Sequence, residues 1–236
     1  MQEQLDNILT NSILMFYLLL VTALLLTRIP IVGKYFRSVN TMIHEAAHAF
    51  MTLAVSGQII SINLFADTSG STVTKAKGKP AQFMIAIAGY PFSALVGFLL
   101  MFLLSGRHDL YILFILLSIV LILMVLSIRN AYGLFWATSF ALINLLLIYF
   151  DNKTAIHLAA IFFTLIVVTD SFISAFVLLV LSLRDKKKAG DATNLQKITK
   201  IPATIWSLLF VAFSAFMIYL SAIHYFPPIK EIFDGI

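Results

Sequence analysis

The residues best equipped for chemistry form one pentapeptide, His44-Glu45-Ala46-Ala47-His48. On a helix, two histidines four positions apart lie one above the other on a single face, so both imidazoles can reach one metal ion. The glutamate beside the first histidine projects near the open coordination position, where it can take a proton from an activated water. The pattern points to zinc-dependent hydrolysis, with His44 and His48 as metal ligands and Glu45 as general base. Its alternative, a chance His-Glu-His pattern on a charged surface helix, fits poorly with so apolar a segment. Ionisable groups at membrane depth are expensive and as a rule functional.

A catalytic zinc holds three protein ligands and one water, so the chain must supply a third ligand. Asp170 is the first candidate. Apart from Glu45 it is the only acidic residue deep within an apolar run, and a carboxylate there needs a cation or hydrogen-bond donors. An aspartate hydrogen-bonded to a neighbouring helix is the other reading of that position. Asp191, in a lysine-rich stretch, is the alternative third ligand, and serves only if that stretch folds back over the site. Otherwise it is a solvated or capping residue. His157 precedes Asp170 by 13 residues on the same predicted helix, about 20 Å at 1.5 Å per residue, too far to share a metal with it. His108 and His224 fall at span ends and read as interfacial.

The elements that must position these groups follow from composition. Of 236 residues, 61% are hydrophobic and 11% charged, against about 25% charged in an ordinary soluble domain. The mean hydropathy is +0.98. Apolar runs long enough to span a bilayer, without strand-like alternation, predict a polytopic helical membrane protein and exclude a barrel. The absence of cysteine excludes disulfides, thiolate zinc sites and cysteine nucleophiles. The net charge of +5 sits in short flanks of apolar runs, which reads as orientation signal rather than nucleic-acid binding.

Spans are predicted over about 10–27, 80–104, 109–128, 131–150, 154–183 and 202–225, with the motif on a separate helix ending before Ser56-Gly57. The first run lacks a basic leader and a small-residue cleavage site, and is read as a retained span. The fold class is thus all-α: six full spans plus a partly inserted motif helix, as one membrane-embedded domain over 1–236. Residues about 58–75 alternate around the turn Asp67-Thr68-Ser69-Gly70 and predict a small β-hairpin. Its strand edges, which include Ile62 and Asn63, could pair with an extended substrate peptide. Gly89-Tyr90-Pro91 interrupts one span, and Pro91 either kinks the helix or borders the site. Gly89, Ser93 and Gly97 form a small-residue face suited to close helix packing. Asn130, at a tight helix break, could hydrogen-bond substrate backbone, orient a ligand or serve as a turn residue. Residues 184–200 form a basic loop.

Full crossing by every apolar segment would scatter basic loops on both sides. If the motif helix does not cross, thirteen basic residues fall on one side, including Arg28, Lys34, Arg37, Lys75, Arg129, Lys186, Lys187 and Lys197. Arg107, Lys153 and Lys230 fall on the other. The positive-inside rule then sets the site nearer the cytoplasm.

Several segments resemble the site-2 protease family of intramembrane zinc metalloproteases, most closely its compact M50B-like bacterial branch. His44-Glu45-Ala46-Ala47-His48 resembles the zinc motif, and Ala88-Gly89-Tyr90-Pro91 the branch's Ala-Gly-Tyr segment. Arg129-Asn130-Ala131-Tyr132-Gly133 resembles its Arg-Asn-x-x-Gly turn, and Asp191-Ala192-Thr193-Asn194-Leu195 its Asp-Ala-x-x-Leu segment. The wider family's Asn-x-x-Pro…Asp-Gly ligand motif is absent, so Asp170 is chosen by position. The resemblance implies a zinc endopeptidase with one Zn2+ per chain, acting on membrane-anchored protein substrates in the bilayer of a bacterial cell membrane, with no nucleic-acid partner. The rivals are a non-catalytic metal-binding membrane protein or transporter, and a membrane zinc hydrolase of non-peptide amides or esters.

Overall fold

A chain without surrounding water must satisfy its own backbone groups, and long apolar runs do so as helices. The computed structural model describes residues 12–185 and 188–228; Lys186, Lys187 and Lys230 of the charge argument lie outside them. Among the described residues the order is α1 (Ser12–Leu26), α2 (Val32–Ala54), β1 (Gln58–Leu64), β2 (Gly70–Lys75), α3 (Lys79–Ser105), α4 (Asp109–Leu126), α5 (Ala131–Phe150), α6 (Lys153–Arg184), α7 (Gly190–Thr199) and α8 (Ala203–Tyr225). Five helices, α3, α4, α5, α6 and α8, are long and apolar enough to cross a membrane. The first predicted span appears as α1, an apolar helix of 15 described residues, and the motif helix α2 is not among the five. The chain is an integral membrane protein.

Lipid is as apolar as leucine, so helices in it are held by close packing and polar ties rather than by a hydrophobic gain. The motif helix shows both. Val39, Met42, Ile43, Ala46 and Ala49 recur at three- and four-residue spacing and are fully buried. Trp136 Nε1 on α5 donates to the Tyr35 carbonyl at 2.8 Å, and the Tyr35 and Ser139 hydroxyls lie 2.8 Å apart. The small-residue face of α3 meets two partners: Gly89 lies against His44 on α2, and Gly97 against Val168 on α6. Helix α3 starts with Pro80 in its first turn and runs continuously through Pro91.

The hairpin is present, with β1 and β2 antiparallel and Ile62 opposite Thr72. At its turn the Ser69 hydroxyl and N–H donate to Asp67 Oδ1 at 2.6 and 3.0 Å. These two bonds, the hydroxyl's first, hold the Asp67 carboxyl below its ordinary pKa. A lone hairpin is marginal, and this one is tied on its outer side. Ile62 N–H donates to the Ser127 carbonyl at 2.8 Å and the Arg129 N–H to the Ile62 carbonyl at 3.1 Å. The predicted edge at Ile62 and Asn63 is therefore not open to substrate: the α4–α5 turn already occupies it, and Ile62 is fully buried. The remaining edge belongs to β2.

Within the basic stretch 184–200, read as a loop, the described residues Gly190–Thr199 form helix α7 instead. Ala192 and Leu195, three apart, bury one face of α7 against Ala175, Leu178, Ala203, Trp206 and Phe210. Gln196 Oε1 accepts from the Ala203 N–H at 2.7 Å, and Trp206 Nε1 donates to Thr199 Oγ1 at 3.2 Å, so α7 is fastened to α8 at its far end.

Candidate metal centre

His44 and His48 project from α2 toward the first turn of α7. His44 Nε2 and His48 Nε2 are 3.1 Å apart, and each is 3.1 Å from Asp191 Oδ2. Among the described residues this is the cluster whose ligand atoms come within metal-sharing distance. Donors about 2.0–2.1 Å from a tetrahedral zinc stand about 3.3–3.4 Å apart, so this trio matches one face of such a site to a few tenths of an ångström. The proton inventory is consistent with this. His48 Nδ1 lies 2.7 Å from the Ile85 carbonyl, which can only accept, so that nitrogen carries the hydrogen. In neutral His48, Nε2 then turns its lone pair toward Asp191 Oδ2 and His44 Nε2, the form in which an imidazole binds a metal, while a proton on Nε2 makes the same contact an ion pair with Asp191. The bond to Ile85 is also the outer contact that commonly fixes a ligand imidazole.

Asp191 sits in the first turn of α7, where the helix N-terminus favours a carboxylate. Burial pushes its pKa up, but the charge and hydrogen bonds of His48 and His44 outweigh that and hold the carboxyl below its usual range.

Asp170, the first candidate for third ligand, is not brought to the histidines. It is buried as expected, but Arg37 Nε donates to its Oδ1 at 2.7 Å. Arg37 precedes His44 by seven residues on α2, about 10 Å along the axis, so Asp170 is held two turns from the histidine pair. The physical demand for a compensating cation is met, by a guanidinium instead of a metal. Asp191, the alternative, occupies the place expected of Asp170.

Asn130 clamps the hairpin to the α4–α5 turn. Its Oδ1 accepts from the Leu64 N–H at 3.2 Å and its Nδ2 donates to the Leu64 carbonyl, so its amide is spent on β1. Pro91 does not line the cavity over the site, whereas its neighbour Tyr90 does. The Tyr90 ring stands edge-on to His44 with centroids 4.5 Å apart and stacks on Phe210 at 5.1 Å. Gly89 brings α3 close enough that a methyl there would stand 2.6 Å from His44 Nε2. His157 lies with Asp109 and Arg107 at 2.9 and 3.0 Å, at the helix ends where an interfacial histidine is expected.

The site opens into a cavity of about 860 Å³ whose wall includes Glu45, Thr72, Tyr90, Ser174, Leu178 and Asn194. Lys75, Lys188 and Lys197 stand at its exposed rim. Glu45 is 4% exposed and Thr72 Oγ1 donates to its Oε2 at 2.6 Å. Two residues at the site escape sequence reasoning. Thr72 is one β-prone residue among several, and Gly70 looks like turn chemistry. The alternation Gly70, Thr72, Thr74 does mark one face of β2, but not that the face covers Glu45.

Apolar helices long enough to cross a membrane surround a half-buried His-Glu-x-x-His helix on whose histidines an aspartate converges, the arrangement of an integral membrane protein with a candidate metal centre. The sequence matches the family model described as Peptidase M50B-like over residues 17–221, a match that begins within α1 and ends within α8. The chain belongs to that family, and so to the site-2 protease family. No curated protein and no solved structure matches it.

Proposed function

We propose that the protein is an intramembrane zinc endopeptidase that cleaves membrane-anchored protein segments. The observation that carries this reading is the convergence of His44 Nε2, His48 Nε2 and Asp191 Oδ2 in the wall of a cavity that Glu45 also lines. These three side chains would hold one zinc ion per chain. A zinc ion so held supplies Lewis acidity, polarising a carbonyl and bringing the pKa of water to about 7.

The chain's own residues do the rest. Glu45 takes the proton of the attacking water on a carboxylate oxygen and later delivers it to the leaving amine nitrogen, so one group acts as base and then acid. His48 keeps its tautomer through Ile85, and Tyr90 backs the His44 ring. A helical substrate hides its scissile amide in internal hydrogen bonds and must be extended before attack. The edge of β2 left open by the hairpin's anchoring lies in the cavity wall and would accept an extended peptide by main-chain pairing. The lysines at the rim belong to the basic majority that the positive-inside rule assigns to the cytoplasm, which supports a cavity opening on that side.

A transporter or metal-binding scaffold has no use for Glu45, so the test uses Glu45→Gln in purified protein. Zinc content at the wild-type level with loss of all cleavage of single-span substrates is the expected result. Cleavage that survives the substitution refutes the proposal.

A further inference from the structure

Glu45 is held by a residue outside the motif. Its side chain is almost fully buried under β2, and the Thr72 hydroxyl donates to Oε2 at 2.6 Å, the length of a charge-assisted O–H···O bond. The same hydroxyl is 3.3 Å from the Glu45 carbonyl. A single hydroxyl hydrogen serves one of them, and the shorter contact is the carboxylate. Oε1 lies against Gly70, where a Cβ would come within 2.7 Å of the Glu45 Cδ and Cγ, so the strand is bare at the point where the carboxylate needs room. Gly70 and Thr72, two apart, present one face of β2 to the glutamate.

Thr72 is itself fixed. It pairs across the hairpin with Ile62, whose N–H and C=O are both bonded to the Ser127–Arg129 turn. The tip is pinned to α2 by the Thr41 hydroxyl, which donates to the Thr68 carbonyl at 2.8 Å. A glutamate has three side-chain torsions to order before it can meet a water in productive geometry, and rigid neighbours reduce that cost.

We propose that Thr72 is a positioning residue for Glu45: its hydroxyl holds Oε2 while the bare Gly70 leaves room for Oε1, so that the carboxylate meets the attacking water in one fixed orientation. This rests on the endopeptidase reading given above. The hairpin thereby serves the chemistry directly, in addition to any pairing with substrate.

The test compares Thr72→Val, which removes the hydroxyl at nearly constant shape, with Thr72→Ser, which retains it. Steady-state cleavage of a single-span substrate is the first readout. Thr72→Val lowers kcat about 10–100-fold, the usual cost of losing an outer contact, with KM and bound zinc unchanged, while Thr72→Ser recovers to within a few-fold. The second readout needs no turnover. The chain has three glutamates, Glu3, Glu45 and Glu231, so infrared spectra of 13C-glutamate-labelled protein can be assigned by a Glu45→Gln difference. The Glu45 carboxylate band shifts in Thr72→Val and returns in Thr72→Ser. A wild-type kcat in Thr72→Val overturns the proposal, as does a change confined to KM, which marks a docking strand. So does a Thr72→Ser variant as impaired as Thr72→Val. An inactive wild-type protein that nevertheless binds zinc overturns the endopeptidase reading instead, and the infrared comparison then still decides whether Thr72 holds Glu45.

Discussion

Gly89→Ala places the smallest possible perturbation against His44, a ligand of the proposed zinc site. The added carbon would stand 2.6 Å from His44 Nε2 and 2.7 Å from Nδ1, whereas non-bonded heavy atoms settle at about 3.5 Å or more. The imidazole must therefore retreat by about 1 Å, several times the roughly 0.2 Å within which ligand distances at a metal site are held. Zinc affinity should fall at least about 10–100-fold, or about 1.4–2.7 kcal/mol of binding free energy. Overpacking itself costs about 1–3 kcal/mol, small enough for a helical bundle to remain folded. Gly97→Ala is the control on the same helix, because its methyl meets Val168 at 3.3 Å and no ligand. Competition with a chromophoric chelator, alongside thermal unfolding, measures both effects. The expected pattern is weakened zinc binding in Gly89→Ala alone, with a modest loss of stability in both. Wild-type zinc affinity in Gly89→Ala, with only its melting temperature lowered, would mean that α3 yields instead of His44, and would refute the reasoning.

Other outcomes follow from the same geometry. Asp191→Asn should abolish stoichiometric zinc binding, whereas Asp170→Asn should keep it and destabilise the fold by about 1–3 kcal/mol, because the half-buried Arg37 loses its counter-charge; zinc analysis and denaturation of the two variants check this, and loss of zinc in Asp170→Asn alone contradicts the ligand set. Asn130→Ala should cost about 1–3 kcal/mol and raise hydrogen exchange at Leu64, since both bonds from that amide end on Leu64; unchanged protection there would show that the Ser127–Arg129 pairing alone holds β1. Chelation should stop cleavage while leaving the helical circular dichroism intact, and zinc at about 100 times its Kd should restore about 2.7 kcal/mol of stability. Loss of helicity on chelation would instead make the metal structural.

How much of this is legible in sequence depends on whether a residue's role is set by its neighbours in the chain or across space. Helices α3 to α6 and α8 can be read because each apolar run satisfies its own backbone and needs no knowledge of its partners. The hairpin can be read because alternation around Asp67-Thr68-Ser69-Gly70 is local, and the turn bonds of Ser69 to Asp67 are local too. The third ligand is different. A buried carboxylate on α6 does require a cation, but the sequence does not say which one, and Arg37 reads as an ordinary basic flank until α2 is seen beside Asp170. Asp191 is hidden by its company: in a stretch rich in lysine it looks solvated. The spacing of Ala192, Leu195 and Thr199 nonetheless marks a helix with one apolar face, and such a helix must dock somewhere. Once it docks on α8 and on the end of α6, its first turn faces the histidines, and the aspartate there converges on them. An amphipathic segment between the last two spans of a helical membrane protein is thus a better place to seek a missing ligand than the most deeply buried carboxylate. Depth shows only that a charge is compensated, whereas a docked helix terminus brings a carboxylate to a place where a shared cation can sit.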